Sequence, residues 1–196
     1  MFVSFEGVDG SGKTTQARLL EEHLLGLGRD VVATREPGGT ELGEELRRLV
    51  LNGPEISPWA EAALFAASRA EHAAEVIRPA LERGADVVCD RFVDSSLAYQ
   101  GIARGLGLER VLDLNLTVLE GLLPDRTFVL AVDPMSAAAR RQEEPDRIER
   151  EGDLFQSLVA HAYEELAGRF PDRVILLDGT LPADSIAAEI RSRLGL

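Results

Sequence analysis

Short apolar runs alternate with longer stretches of helical periodicity along this chain of 196 residues. The apolar runs are rich in Val, Leu, Ile and Phe, as buried strands are. They lie at Phe2 to Phe5, Val31 to Thr34, Asp86 to Cys89, Thr127 to Val132 and Val174 to Leu177. Strands that alternate with helices favour a parallel sheet covered by helices on both faces. The sequence therefore predicts an α/β fold with a five-stranded parallel sheet, as a single domain over residues 1–196.

Two helices can be placed by their end signals. The first is predicted over Thr15 to Leu27, directly after a glycine-rich loop. A longer helical stretch separates the second and third strands, and Ser57 followed by Pro58 suits its cap and first turn. This stretch is predicted to run to about Arg83, with a bend where Pro79 removes a backbone donor.

The carboxyl ends of the predicted strands carry charged or turn-forming residues. These segments are Gly7 to Thr14, Arg35 to Thr40, Asp90-Arg91, Asp133-Pro134 and Asp178 to Thr180. In open parallel sheets, ligands bind in the crevice beyond the carboxyl ends of the strands. We therefore expect a ligand site at this edge of the sheet.

The loop after the first strand fits the phosphate-binding pattern GxxxxGK[ST] at every fixed position. Its residues are Gly7, Val8, Asp9, Gly10, Ser11, Gly12, Lys13 and Thr14. The backbone N–H groups of such a loop surround phosphate oxygens, and the Thr14 hydroxyl is placed to bind Mg²⁺. Lys13 is the only lysine in the chain, and a compact ammonium is not freely replaced by a guanidinium. A nucleoside triphosphate site is predicted here rather than a chance glycine turn.

Composition narrows the range of partners. A net charge of −13 disfavours binding to nucleic acid polymers. A single cysteine, Cys89, allows no internal disulfide. The chain shows neither a signal peptide nor an apolar run long enough for a membrane span. These features predict a cytoplasmic protein without membrane or nucleic acid partners.

A second set of residues suits a phosphoryl acceptor. Arg91, just after the third strand, could hold an acceptor phosphate through two hydrogen bonds or simply pair with a carboxylate. Phe65 and Arg69 share a helix face and suit a nucleobase pocket, although Phe65 alone would equally suit the core. Another group of three at helical spacing follows, either at the site or on an ordinary helix face: Ser96, Tyr99 and Gln100.

A phosphate loop alone fits switches, motors and kinases. A GTPase switch would normally carry an Asn-Lys-x-Asp segment, which a chain with Lys13 as its only lysine cannot contain. A deoxynucleoside kinase would need a carboxylate base to activate a neutral hydroxyl. Glu36 could supply that base, so this alternative stays open from the residues alone.

Five segments in order resemble bacterial thymidylate kinases. They are Phe5 to Gln16, Arg35 to Thr40, Phe65 to Arg69, Asp90 to Phe92 and Ser96 to Gln100, and Asp146 to Glu149 resembles the lid segment of that family. The resemblance implies a P-loop kinase fold with a short mobile lid at residues 140–150. It also implies direct, Mg²⁺-dependent phosphoryl transfer from ATP to dTMP, giving dTDP for dTTP synthesis, usually in a homodimer.

The resemblance further implies roles for individual residues. Phe65 would stack on thymine, Arg69 would bond to the base, Arg91 would contact the acceptor phosphate and Tyr99 would crowd the 2′ position of the sugar. The remaining dTMP-binding residues would be Asp9, Glu36, Pro37, Ser96 and Gln100. On the ATP side, Thr15 and Thr180 would join the phosphate loop.

In that family a catalytic arginine comes either from the phosphate loop or from the lid. The loop of this chain contains no arginine, so the lid is expected to supply it, from Arg140, Arg141 or Arg147. The expected catalytic set is this arginine together with Lys13, Asp9 and Arg91.

Overall fold

The computed structural model describes residues 1–139 and 146–196. Its centre is a five-stranded sheet in the order β2-β3-β1-β4-β5, and all neighbouring strands are parallel. The strands are β1 (Phe2–Glu6), β2 (Val31–Arg35), β3 (Asp86–Asp90), β4 (Arg126–Ala131) and β5 (Val174–Asp178). The predicted sheet is confirmed, and its strands lie within one residue of the predicted positions.

Helices connect the strands. The α-helices of the described residues are α1 (Lys13–Gly26), α2 (Glu41–Asn52), α3 (Pro58–His72), α4 (Arg78–Glu82), α5 (Val93–Ser96), α6 (Leu108–Val118), α7 (Pro134–Ala138), α8 (Asp153–Arg169) and α9 (Ala183–Leu194). Two π-helical segments, Ala73–Ile77 and Leu97–Ala103, and one 3₁₀ turn, Glu149–Glu151, complete them. Within these residues, no helix combines the length and apolar character needed to cross a bilayer.

The long helical stretch predicted after residue 57 consists of α3, the first π-helical segment and α4. The Ser57 side chain caps its start by accepting a hydrogen bond from the backbone of Ala60. The π-helical turn ends at Ile77, just before Pro79, whose missing N–H disfavours regular α-helical bonding. The sequence predicted a bend at Pro79, and the structure has a π-helical turn that ends two residues earlier.

Apolar side chains cover both faces of the sheet. Successive residues of β1 alternate between two buried clusters, since Phe2 belongs to one and Val3 to the other. The same face of β1 as Phe2 also carries the fully buried Ser4 and Glu6. One face of the central strand therefore buries the polar side chains of Ser4 and Glu6, and Glu6 lies at the carboxyl end, where ligands are expected.

Candidate active site

The phosphate loop leaves the carboxyl end of β1 and packs against the connection that follows β4. Gly10 has φ +87°, and a Cβ atom there would lie 2.1 Å from the carbonyl oxygen of Ala137 in α7. Only glycine fits this position. Lys13, at the start of α1, is buried, and its Nζ donates to the carbonyl oxygen of Val8 at 2.9 Å.

A hydroxyl and a carboxylate meet at the start of α1. Thr14 Oγ1 donates to Asp90 Oδ2, at the end of β3, over 2.5 Å. Oxygen ligands of this kind suit Mg²⁺, which is typically held by one or two carboxylates together with substrate phosphates. No group of three or more His, Cys, Asp or Glu able to hold a metal occurs in the described part of the chain. The pair therefore fits an ion that a bound nucleotide would help to hold.

Two cavities adjoin at this edge. The first lies over the phosphate loop and is lined by Asp9, Gly10, Gly12, Lys13, Thr14, Thr15, Arg35, Glu36, Arg47, Asp90 and Arg91. The second contains all nine residues expected to bind the acceptor: Asp9, Glu36, Pro37, Phe65, Arg69, Arg91, Ser96, Tyr99 and Gln100. We call them the loop cavity and the acceptor cavity. Four residues line both: Asp9, Glu36, Arg47 and Arg91.

Arg91 lies at the junction of the two cavities. It has a positive φ of 70°, and its guanidinium donates to Asp9 Oδ1 at 2.5 Å and to Ser95 Oγ at 3.1 Å. Asp9 also approaches Lys13 Nζ at 3.4 Å. Although burial opposes ionisation, Arg91 and Lys13 lower the pKa of Asp9. Asp9 is thus a counter-ion shared by two cations. Arg91 forms the ion pair that the sequence analysis considered, and it also lines both cavities.

Glu6 supports the segment that carries Arg91. Its Oε1 accepts from the backbone N–H groups of Phe92 at 2.7 Å and Ser95 at 3.2 Å. Its Oε2 accepts from the hydroxyls of Ser95 at 2.6 Å and Tyr163 at 2.8 Å. Burial raises the pKa of Glu6 to about 7. Sequence reasoning missed this residue, whose only signal was an acidic side chain ending a buried strand.

Arg69 is held rigidly at the opposite side of the acceptor cavity. Its Nε donates to Glu36 Oε2 at 2.7 Å, and its Nη1 donates to Ser96 Oγ at 2.9 Å and to Asn115 Oδ1 at 2.5 Å. Its Nη2 donates to the carbonyl oxygen of Phe92 at 3.2 Å. Only 2% of Arg69 is exposed. These bonds fix the guanidinium group, so the N–H that they leave free on Nη2 has a fixed direction.

Glu36 has both carboxylate oxygens engaged. Besides the bond from Arg69, its Oε1 lies 2.9 Å from His72 Nδ1. The Glu36–Pro37 peptide bond is cis. A carboxylate paired with an arginine is poorly suited to act as the general base that a neutral hydroxyl acceptor would require.

Two aromatic residues line the acceptor cavity. Phe65 is half-buried; it packs against the core and also lines the cavity, and its role in a nucleobase pocket stays a prediction. Tyr99 is buried, and its hydroxyl has no hydrogen-bond partner among the described residues. The hydroxyl itself is enclosed, and the ring lies beside Arg91, whose guanidinium carbon is 5.5 Å from the ring centroid.

Arg47 of α2 was not foreseen from sequence. It lines both cavities, and its Nη1 donates to the carbonyl oxygen of Pro37 at 2.9 Å. Burial and the nearby Arg35 lower the pKa of Arg47. Its only signal was a position on the helix that follows the carboxyl end of β2.

The three arginines expected in the lid have different outcomes. Arg140 and Arg141 lie outside the described residues. Arg147 is buried and lines neither cavity, because its Nη2 donates to Glu61 Oε2 at 2.6 Å and its Nε to the carbonyl oxygen of Val50 at 2.9 Å. Its expected place beside the transferring phosphoryl group is therefore not the place that the structure gives it.

The residues expected on the ATP side that do not line the loop cavity are Gly7, Val8, Ser11 and Thr180. Thr180 follows β5, where its hydroxyl donates to Asp178 Oδ1 at 2.6 Å. It lines a third cavity that also contains Gly7 and Val8. Ser11 is buried in the phosphate loop.

Comparisons with known proteins agree with this arrangement. A family model described as thymidylate kinase matches residues 5–190. The chain is 52% identical to the thymidylate kinase of Leifsonia xyli subsp. xyli (strain CTCB07), over 99% of this chain and 94% of the relative. It is 49% identical to that of Bifidobacterium longum (strain NCC 2705), over 98% and 96%.

Among solved structures, the thymidylate kinase from Ehrlichia chaffeensis superposes with a TM-score of 0.80 at 35% identity. The match covers 99% of this chain and 98% of that chain. The chain therefore belongs to the thymidylate kinase family, whose function is the ATP-dependent phosphorylation of dTMP to dTDP.

Proposed function

We propose that the two adjoining cavities are the two halves of one phosphoryl-transfer site. ATP places its phosphates in the loop cavity, and dTMP occupies the acceptor cavity. The observation that carries this assignment is the shared lining, in which Asp9, Arg47 and Arg91 face both halves. Phosphoryl transfer depends on holding two anionic groups in line and neutralising their charge. Arg47 and Arg91 can contribute to both tasks, while the other two shared residues, Asp9 and Glu36, are counter-ions of arginines.

In the acceptor half, Arg91 binds the phosphate of dTMP while Phe65 stacks on the base. Tyr99 lies beside the sugar, where its ring limits the room at the 2′ position. The second pKa of a phosphate monoester is about 6, so the attacking oxygen is largely ionised at neutral pH. No general base is needed, which agrees with the engagement of Glu36 by Arg69.

In the donor half, Lys13 and the N–H groups of the loop bind the ATP phosphates. Thr14 and Asp90 are the residues that would hold Mg²⁺. When bound, the ion would neutralise phosphate charge. Thr180 is assigned to the adenine side.

Asp9 keeps the cations in place before the substrates bind. It pairs with Arg91 and lies within 3.4 Å of Lys13. Arriving phosphates would take over these cations. Arg140 and Arg141 remain candidates for the catalytic arginine, whereas Arg147 acts as an anchor; a lid over residues 140–150 stays a prediction.

The quaternary structure and the cellular location are part of the proposal. A homodimer is supported by exposed apolar side chains on the adjoining helices α2 and α3, namely Leu42, Leu49 and Trp59. Leu42 and Leu49 lie seven residues apart on α2 and therefore share one face, and apolar side chains grouped on a surface are typical of interfaces. The cytoplasmic location stays a prediction from the sequence.

Arg91→Ala tests the division into two halves. We expect kcat/KM for dTMP to fall by about 10²- to 10³-fold, since a buried cation that faces the acceptor phosphate is lost. The KM for ATP should stay near its original value. The measurement is a coupled assay of ADP release in which each substrate is varied in turn.

Arg18→Ala is the matched control, because Arg18 is an exposed arginine on α1 that pairs with Glu22. It should leave both substrates unaffected. An Arg91→Ala enzyme whose KM for ATP rises as much as that for dTMP would place Arg91 in the donor half and contradict the assignment.

A further inference from the structure

A buried carboxylate lies behind the acceptor cavity without lining it. Glu61 of α3 is 1% exposed. Its Oε1 accepts from Gln100 Nε2 at 3.0 Å and from Arg104 Nε at 3.1 Å. Its Oε2 accepts from Arg104 Nη2 at 3.1 Å and from Arg147 Nη2 at 2.6 Å. Two guanidinium groups and one carboxamide therefore converge on this side chain.

The charge of Glu61 fixes the orientation of Gln100. Although burial opposes ionisation, the hydrogen bonds from Arg104, Gln100 and Arg147 lower the pKa of Glu61. An ionised carboxylate can only accept hydrogen bonds. The amide group that faces Glu61 must therefore be the NH₂ of Gln100, because its carbonyl oxygen would be repelled.

With its NH₂ held, the Gln100 side chain offers an acceptor to the acceptor cavity. Gln100 lines this cavity, and Oε1 makes no hydrogen bond within the described ranges 1–139 and 146–196. A carboxamide that was free to rotate by 180° would offer a donor or an acceptor with similar ease. Glu61 removes that choice.

Arg69 supplies the complementary donor. A guanidinium carries five N–H groups, and the bonds to Glu36, Ser96, Asn115 and Phe92 occupy four of them. One N–H on Nη2 is left for a molecule in the acceptor cavity, whose lining includes Arg69. The cavity therefore presents one fixed donor and one fixed acceptor.

This pair matches one type of pyrimidine edge. Thymine and uracil carry a carbonyl oxygen at C4 next to N3–H, which is an acceptor beside a donor. Cytosine carries an amino group at C4 next to an unprotonated N3, which reverses both. A site with buried hydrogen-bonding groups rejects a ligand that leaves them unpaired or opposed.

We propose that Glu61 is a specificity-determining positioning residue: by fixing the carboxamide of Gln100, it makes the acceptor cavity read the N3–H of a keto pyrimidine and reject cytosine. The inference rests on the proposed assignment of dTMP to this cavity. Glu61 lines neither cavity, so it would act on the substrate only through Gln100.

The test is Glu61→Gln, whose neutral amide can face either orientation of Gln100. The ratio of kcat/KM for dTMP to that for dCMP should fall by about 10- to 100-fold, the scale of one mispaired buried hydrogen bond. Most of the change should be in KM, with a smaller effect on kcat at saturating dTMP. Asp86→Asn is the matched control, since Asp86 is a buried carboxylate paired with Arg29 at the amino end of β3; it should leave the ratio unchanged.

A swapped double variant guards against a general loss of structure. In Glu61→Gln/Gln100→Glu the new carboxylate at position 100 can only accept, and the new amide at position 61 can donate to it. The dTMP preference should return toward that of the original enzyme. An unchanged ratio in folded Glu61→Gln, or no recovery in the swap, would overturn the proposal.

These outcomes are separate from the assignment of the cavity. Normal dTMP turnover by the Arg91→Ala enzyme would contradict the assignment of dTMP to the acceptor cavity. If Arg91→Ala impairs dTMP turnover but Glu61→Gln leaves the preference for dTMP over dCMP unchanged, only the role of Glu61 is contradicted.

Discussion

The carboxyl group of Glu6 titrates close to neutral pH. Its pKa is raised from 4.5 to about 7 because burial disfavours the charged form and Asp94 adds repulsion, while Arg91 and hydrogen bonds from Ser95 and Phe92 oppose the rise. Near pH 7 the group is therefore divided between its neutral and charged forms. The hydroxyls of Ser95 and Tyr163 can reorient to serve either form.

This property predicts a pH-dependent stability. Between pH 4.5 and 7 the folded state keeps a proton on Glu6 that the unfolded state has lost, so the free energy of unfolding should fall as pH rises, by roughly 3 kcal/mol for this group alone. Glu6→Gln stays neutral throughout and should lack that part of the fall. Urea unfolding across this pH range measures it, with the exposed Glu55→Gln as control. Identical pH slopes for Glu6→Gln and the original protein would show that Glu6 is ionised throughout.

At the scale of elements, the short segment 146–148 contributes to the wall of the acceptor cavity. Asp146 and Ile148 line the cavity. Arg147, between them, is tied to α2 through its backbone N–H to the carbonyl oxygen of Leu51 at 2.9 Å, and to α3 through Glu61. Arg147 thus holds its two neighbours, Asp146 and Ile148, in the wall of the acceptor cavity.

Arg147→Ala should therefore act on stability and on dTMP binding. Loss of a buried ion-pair partner should lower the free energy of unfolding by about 3 kcal/mol, at the low end of the usual range because Arg104 still pairs with Glu61. The KM for dTMP should rise more than kcat falls. Thermal unfolding and steady-state kinetics measure both effects. A large loss of kcat with unchanged stability would instead make Arg147 the catalytic arginine.

The exposed pair of Arg193 and Glu189 on α9 provides the control for this variant. Arg193→Ala should change stability by less than about 1 kcal/mol, because solvent screens exposed ion pairs. Kinetics should be unaffected.

Elements of the sheet were predictable because fully buried parallel strands are continuous apolar runs bounded by turn residues. The helical spacing of Ser96, Tyr99 and Gln100 indicated a helix, but it could not indicate that Leu97–Ala103 is π-helical. The burial of Arg147 depends on Glu61, a residue 86 positions away in sequence. A local pattern cannot reveal such a partner, and the same holds for Arg47.

For the whole molecule, the sheet order explains why the site was easier to locate than to describe. Central β1 ends in the phosphate loop, and its neighbour β3 ends in Asp90, so the rule for carboxyl ends brought both together from sequence. The rule gives no orientation of side chains. Asp90 beside Thr14 and Glu6 beneath Arg91 became evident only with the strands in register.

The assembly of the whole molecule is also testable. If α2 and α3 form the homodimer surface, Leu49→Glu should weaken association by about 100-fold or more, because a charge replaces an apolar side chain in the interface. Sedimentation velocity at micromolar concentration should show dimers for the original protein and monomers for this variant. Leu25→Glu, at an exposed position of α1, should remain dimeric. An original protein that sediments as a monomer would refute the dimer.

The close approach of Gly10 to Ala137 has a consequence for how this sequence can change over time. A side chain at residue 10 and the present course of α7 exclude each other, since the two would overlap at 2.1 Å. An arginine at position 10 would therefore require α7 to take a different course. The helix that would have to move directly precedes Arg140 and Arg141 in the sequence, so a cation gained at position 10 would be coupled to the position of the two remaining candidates for the catalytic arginine.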